Sequence, residues 1–377
     1  MGSEALRILQ ALRAEPLPLP AAPPPPPPPS IADAKARLAP EQAPAAWLRA
    51  SSAPRSFAVR SLPGGDVIAA FIGDGGREVC FADNTPRVDF SEGAFAPSGD
   101  DLPHVPVVLR GVAAGWAAMR GAGWSLAALA ARCGAGDCFS LDGGPGFARA
   151  SLSSAAVDMK TFAAYAAAGG AAERDAAPLY IFDEGLRTRR FADGSPMAAE
   201  FALPRCFTAD TMAASGAAGE LARPLPPSWL LVGPPGSGTP IHNHPLTVGW
   251  NTLLCGAKLW VILPPCTDAA LLLVGAANTL TDDEDLSALA WLEHCAGALP
   301  PAARVIVQAQ GETVFLPAGW WHVVLNLQSA TALSHSLYLR RDWELLGRSG
   351  GACDEGGAAF ESVWRRGVEA AEAAAEK

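Results

Sequence analysis

The sequence predicts a mainly β protein, a small barrel of short strands with flanking helices. Three observations carry that expectation. From residue 229 onward, short apolar runs alternate with Gly and Pro turns: Trp229–Val232, Trp250–Leu254, Leu259–Leu263, Val305–Val307, Val314–Leu316, His322–Leu327 and Ala332–Leu339. Regular spacing of this kind is how a sandwich or barrel looks in one dimension. Helical patterning falls outside these runs, and three of the six histidines lie in two short segments, Ile241–Pro245 and the stretch Gly311–His322.

The elements follow in chain order. Residues 1–30 contain the unbroken run Pro23–Pro29, which favours an extended polyproline II rod and lies outside any packed fold. Residues 31–103 are weakly patterned: 31–49 could form a helix, and Ser56–Ile72 has strand-like alternation broken at Pro63-Gly64-Gly65. The main domain is expected over residues 104–345. It opens with a buried strand at Val105–Arg110, a helix at Trp124–Arg132 capped by Ser125 and stopped by Gly134, a helix at Met159–Ala168 and a strand at Leu179–Phe182. A mainly helical insertion is expected at about residues 266–298. Residues 346–377 form a tail whose helix, with the apolar stripe Phe360, Val363, Trp364 and Val368, is a packing or homodimer element.

Bulk composition excludes several classes. Lys and Arg total 28 against 38 Asp and Glu, for a net charge of −10. That balance opposes direct nucleic-acid binding, which depends on neutralised phosphates; the cluster Arg187, Arg189, Arg190 is read as a solvated loop. Eight cysteines show no Cys-x-x-Cys pair and suit buried thiols in a reducing compartment. No basic-then-apolar leader is evident, and no apolar run approaches the roughly 18 residues that span a bilayer. The expectation is a protein that does not enter membranes and is intracellular, nuclear or cytoplasmic.

The chemistry is carried by histidine. Only six occur in 377 residues. Two lie in Ile241-His-Asn-His-Pro245, where residues i and i+2 of an extended segment share a face. A lone His-x-His is more often two surface side chains than a ligand pair. The second segment changes this: Gly311, Pro317, Gly319, His322 and Asn326 have the spacing G-x5-P-x-G-x2-H-x3-N of the second cupin motif. Gly236-x5-His242-x-His244 fits the start of the first. The glycines permit tight turns, and Pro317 fixes the approach to the strand bearing His322. His242, His244 and His322 are therefore the candidate metal ligands, and imidazole alone does not select the metal.

With these motifs in place the chain resembles the JmjC (Jumonji C) oxygenases, a family built on the double-stranded β-helix of the cupins, or jelly roll. The resemblance rests on Trp229–Leu246, Trp250–Pro265 and Gly311–Leu327, with Val105–Trp116, Pro178–Asp183 and Pro204–Phe207 upstream. It is nearest to the branch of the bifunctional arginine demethylase and lysyl hydroxylase. It implies Fe(II), 2-oxoglutarate as cosubstrate, and hydroxylation or demethylation of a protein or peptide side chain. It implies that Lys258 clamps the distal carboxylate of 2-oxoglutarate, with Asn251, Thr239 and Tyr180 lining that pocket. Each also has a plain alternative: strand surface for Lys258, turn former for Thr239, core for Tyr180.

The pattern also breaks. His244 stands where the family has a carboxylate, the interval from His242 to Trp250-Asn251 is one residue short, and Ser334 and Ser336 replace the usual Thr and Asn. A carboxylate offsets one unit of metal charge and a neutral imidazole none. Three readings stay open: a three-histidine Fe(II)/2-oxoglutarate oxygenase, a three-histidine cupin dioxygenase that does not use 2-oxoglutarate, and a pseudo-oxygenase that acts as a binding module. Lys258 favours the first. His335 should face away from Ser334 and Ser336, His104 and His294 should be structural or exposed, and one of Trp320 and Trp321 should be core.

Overall fold

The computed structural model describes residues 56–342 apart from 63–64, 74–75, 91–98, 143–154, 168–171, 173–174, 176–177, 212–227 and 273–286. It also describes residues 31, 33, 34, 365, 366, 368 and 369. The proline-rich segment, most of the helix expected over 31–49, the middle of the expected insertion, and Phe360, Val363 and Trp364 lie outside the described residues.

The described strands run β1 (Phe57–Ser61), β2 (Val67–Ile72), β3 (Glu78–Ala82), β4 (Arg87–Asp89), β5 (Val107–Arg110), β6 (Cys138–Asp142), β7 (Ala156–Asp158) and β8 (Tyr180–Asp183) in the first half. The second half supplies β9 (Ser228–Gly233), β10 (Gly238–His242), β11 (Val248–Cys255), β12 (Ala257–Leu263), β13 (Arg304–Ala309), β14 (Thr313–Leu316), β15 (Trp321–Asn326) and β16 (Ala330–Leu337). They assemble into a four-stranded sheet in the order β10-β15-β12-β13, a nine-stranded sheet β4-β5-β14-β11-β16-β9-β8-β6-β7, and a small sheet β1-β2-β3. The four- and nine-stranded sheets are the two walls of the jelly roll expected from sequence, and they share one interior.

Strand alternation sorts side chains into three layers. On β12, Ala257, Leu259, Val261 and Leu263 point outward to a cluster with Phe71 and Phe81 of the small sheet and Trp291. The alternate residues Trp260 and Ile262 point inward, where they meet Val108, Val314 and Leu316 of the opposite wall. Because both of its faces are covered, β12 is buried throughout and shows no polar alternation in sequence. The outer face of the large sheet packs Trp250, Phe315 and Leu333 against Leu129 of helix α1 (Leu126–Arg132) and Phe162 of helix α2 (Met159–Ala166).

Local signals explain the helices. Ser125 Oγ accepts from Ala128 N at the start of α1, as its position suggested. Asp158 accepts from the amides of Lys160 and Thr161 at the start of α2. That helix stops two residues short of its expected end, because Ala167 is already extended (ψ 159°). Around the expected insertion the described part holds one turn at Ala269–Leu272 and helix α3 (Ala288–Cys295), capped by Ser287. The small sheet is a feature that weak patterning in residues 31–103 concealed. No helix among the described residues is long and apolar enough to cross a membrane.

Candidate metal centre and its pocket

His242 ends β10 and His322 is the second residue of β15, and the two strands pair antiparallel. Their register shifts between Thr239 and His242: Thr239 opposes Val324, yet His242 opposes His322. One extra residue is thus accommodated in β10 beside Pro240. Without that bulge His242 would oppose Trp321 and every side chain beyond it would change face. Proline, which has no N–H to lose from the ladder, suits such a position. The bulge is what sets the two imidazoles face to face, and the chain then leaves the strand and brings in His244. A hydrogen bond from Gly319 N to His244 O (2.8 Å) ties that exit to the turn before β15, where Gly319 holds a φ of 79° that other residues rarely adopt.

Ring centroids lie 4.1 Å apart for His242 and His322, 5.0 Å for His242 and His244, and 5.4 Å for His244 and His322. One nitrogen from each ring falls within 4.8 Å of the other two, close enough to share an ion. Backbone carbonyls fix two of the tautomers. His242 Nδ1–H donates to Pro240 O (2.7 Å) and His322 Nδ1–H donates to Trp320 O (3.1 Å). Each Nε2 is then left as a lone-pair donor, the arrangement metal-binding histidines use. Burial pushes all three rings down from the ordinary histidine range, with His244 lowered to about 3. They are neutral near pH 7.

The interior continues away from the histidines into a polar layer. Lys258 on β12 is fully buried, and its Nζ donates to Tyr180 Oη on β8 (2.8 Å). Burial pushes its ammonium down to about 7. Among the described residues no carboxylate pairs with it. Lys258 sits between Gln308 of β13 and Asn326 of β15 in the strand register. From the opposite wall come Asn251 and, directly across on β16, Ser334. Ser336 opposes Gly249, whose missing side chain leaves open space on the same wall. Thr239 opposes Val324 and so shares the inward face. All nine residues singled out from sequence therefore line one interior, the histidines at one end and Lys258 and Tyr180 at the other. Two acceptors there, Asn251 Oδ1 and Asn326 Oδ1, are buried with no hydrogen-bond partner among the described residues.

Some contributors were missed from sequence. Trp260 lies over His322 (centroids 6.0 Å apart, 23° between planes), and its Nε1 donates to Gln308 Oε1 (2.8 Å). Asn326 was seen only as a motif position, yet its Nδ2 donates to Ser237 Oγ (2.8 Å) at the base of the pocket. Pro240 was a legible signal, since proline within a strand marks a bulge or an edge. Gln308 carried no signal at all. Of the other histidines, His335 is buried on the outer face, stacked on Trp250 and 2.7 Å from Ser228 Oγ. His104 and His294 are exposed. Trp320 packs against the interior cluster and Trp321 against the outer one, each half-buried. Arg189 of the basic cluster is held by Asp183.

Residues 229–337 match the family model for the JmjC domain, hydroxylase. Over 268 residues the chain is 30% identical to the bifunctional arginine demethylase and lysyl-hydroxylase psr-1 of Caenorhabditis elegans, covering 68% of this chain and 62% of that protein. It is 28% identical over 244 residues to the arginine-specific demethylase JMJ22 of Arabidopsis thaliana, covering 62% and 42%. The human 2-oxoglutarate and iron-dependent oxygenase JMJD4 is 32% identical over 110 residues, 29% of this chain and 26% of its own. The chain thus spans about three-fifths of the psr-1 proteins it matches. The two histidine-bearing strands and the whole four-stranded wall fall inside the matched segment: this chain carries a JmjC domain over residues 229–337.

Proposed function

We propose that the protein is an Fe(II)- and 2-oxoglutarate-dependent oxygenase that hydroxylates, or demethylates, a protein side chain through a three-histidine site. The observation that carries this reading is the pairing of two unmet demands in one interior. Three neutral imidazoles bring one nitrogen each within 4.8 Å of the others, and a buried ammonium has no carboxylate among the described residues. A divalent ion answers the first and a dicarboxylate reaching from it toward Lys258 answers the second. The relatives point the same way, since their names include iron and 2-oxoglutarate dependence and action on arginine and lysine.

In this reading His242, His244 and His322 would hold the metal. Lys258, steadied by Tyr180 Oη, binds the far carboxylate, and Asn251, Thr239, Ser334 and Ser336 line the space between. Fe(II), with 2-oxoglutarate and dioxygen, supplies oxidation of a C–H bond with release of succinate and CO2. The chain's own work is to position these groups and to keep water from the interior. Seven described cysteines are free thiols, which suits a reducing intracellular compartment.

Anaerobic addition of Fe(II) and 2-oxoglutarate should produce a visible metal-to-ligand charge-transfer band that Lys258→Ala abolishes. A protein that binds zinc but never shows this band is not an oxygenase of this type. A second reading, a binding module without turnover, is favoured by His244 standing where the family has a carboxylate, with no carboxylate grouped with the three histidines among the described residues. Succinate release under air separates the two: an oxygenase forms it, and a binding module shows the band without it.

A further inference from the structure

We propose that Gln308 is a positioning residue that couples the metal ligand His322 to the far wall of the pocket; this rests on the oxygenase reading above. Gln308 is fully buried and makes three hydrogen bonds with its one amide. Its Oε1 accepts from Trp260 Nε1 (2.8 Å). Its Nε2 donates to Asn251 O and to Glu312 O, both at 3.0 Å. The first bond acts within the four-stranded wall, and the other two cross to the nine-stranded wall. A primary amide is the one neutral side-chain group able to accept once and donate twice here.

The consequences follow from what each partner touches. Trp260 lies over His322, diagonally across the β12–β15 pair, so its indole limits how far the imidazole can tilt. The Gln308 bond fixes that indole about its own side-chain torsions. Asn251 carries an unpartnered Oδ1 in the pocket, and its backbone is where Gln308 holds β11. Gln308 is also the strand neighbour of Lys258. A single amide therefore sets the pose of a metal ligand and the separation of the walls between which the cosubstrate sits. Loss of groups that orient ligands in this way lowers metal affinity by about 10–100-fold.

The test uses the full chain, Zn(II) affinity by chelator competition, 2-oxoglutarate affinity at saturating Zn(II), and urea unfolding. Trp260→Phe keeps a ring over His322 but removes the indole donor. It should weaken Zn(II) binding about tenfold and leave 2-oxoglutarate affinity within about twofold. Gln308→Met keeps the volume and removes all three bonds, so both affinities should fall about tenfold. Gln308→Glu restores an acceptor for the indole but sets a carboxylate oxygen against two carbonyls. It should recover Zn(II) affinity and not 2-oxoglutarate affinity, and this split is one that a general loss of stability cannot produce. If Gln308→Met does not fold, the other two variants carry the two arms separately. The positioning role is overturned if the variants lose stability while both affinities stay at wild-type values, or if both affinities fall together in every variant. Failure of the wild-type chain to take up Zn(II) or Co(II) would instead defeat the oxygenase reading itself.

Discussion

His244 is the residue that most separates this site from one with a carboxylate. Three imidazoles leave the full charge of a divalent ion uncompensated and offer no hard oxygen donor. The chain should therefore discriminate strongly between borderline ions such as Zn(II), Ni(II) and Fe(II) and harder ones such as Mn(II) and Mg(II). His244→Asp should narrow that gap, tightening Mn(II) about tenfold in equilibrium dialysis. At the other end of the pocket, Lys258 has its ammonium lowered from 10.5 to about 7 by burial. A dianion binds the protonated form, so above about pH 7 binding must take up a proton and affinity must fall, by up to about tenfold per pH unit. Calorimetry in buffers of different ionisation heat reads that uptake directly; affinity that is flat from pH 7 to 9 would rule it out. The sign for stability is the opposite: the unfolded chain keeps the Lys258 proton up to about 10.5, so this residue's contribution grows as pH rises from 7 toward 10.5. Gly233 packs against the same end of the pocket. A Cβ there would stand 2.6 Å from Tyr180 Cδ2 and 2.7 Å from Asn326 Nδ2, and closer still to Ser237 Oγ. Gly233→Ala should cost about 1–3 kcal/mol in urea unfolding and release Tyr180 from Lys258, weakening 2-oxoglutarate binding more than metal binding.

Among the elements, β10 decides whether there is a site at all. Its bulge beside Pro240 places His242 opposite His322. Pro240→Val, which returns an amide to the ladder while keeping every residue, would straighten the register so that His242 opposes Trp321. The variant should keep its far-UV circular dichroism and lose at least about a hundredfold in Zn(II) affinity, as expected when a ligand turns to the other face of its strand. The bulge also shows why part of the site was legible and part was not. His242, His244 and His322 could be read because strand alternation and motif spacing act along the chain. Ser125 could be read as a cap for the same reason. Trp260, Gln308 and Ser237 act across strands, through pairings whose register depends on the whole sheet. The three-stranded sheet β1-β2-β3 was obscure for a related reason: its core side, Phe71, Val79 and Phe81, is buried in a cluster with residues of β12, β13, β15 and α3, more than 170 residues away in the chain.

Taken whole, the molecule is a pair of walls whose outer faces are each sealed by chain from elsewhere, and the seal on the four-stranded wall has an identifiable weak point. β13 is the outer strand of that wall, and an open edge would expose its amides and carbonyls. Instead the segment joining β3 to β4 lies along it. Asn84 Oδ1 accepts from Val305 N (2.8 Å), Asp83 Oδ2 accepts from Val307 N (2.9 Å), and Arg87 donates to Val307 O (3.0 Å). Arg87 also pairs with Asp83 (2.6 Å) and with Glu312 (3.1 Å), and Glu312 in turn accepts from Ala309 N (3.0 Å). The guanidinium is thus the one group that joins the upstream segment, the edge strand and the β13–β14 turn. Both carboxylates are nearly buried, so removing the cation strands Asp83 and leaves Glu312 only the exposed Arg110 (3.3 Å), rather than costing one contact. Arg87→Met should destabilise the fold by about 3–5 kcal/mol, read from the urea midpoint at constant slope. Salt should rescue little of it, because a pair this shielded is weakly screened. Peeling of that edge would free Gln308 on the same strand, so hydrogen exchange at Val305 and Val307 should rise together with the rate of Zn(II) release. Faster exchange at the edge without faster metal release would show that the seal and the site are mechanically independent.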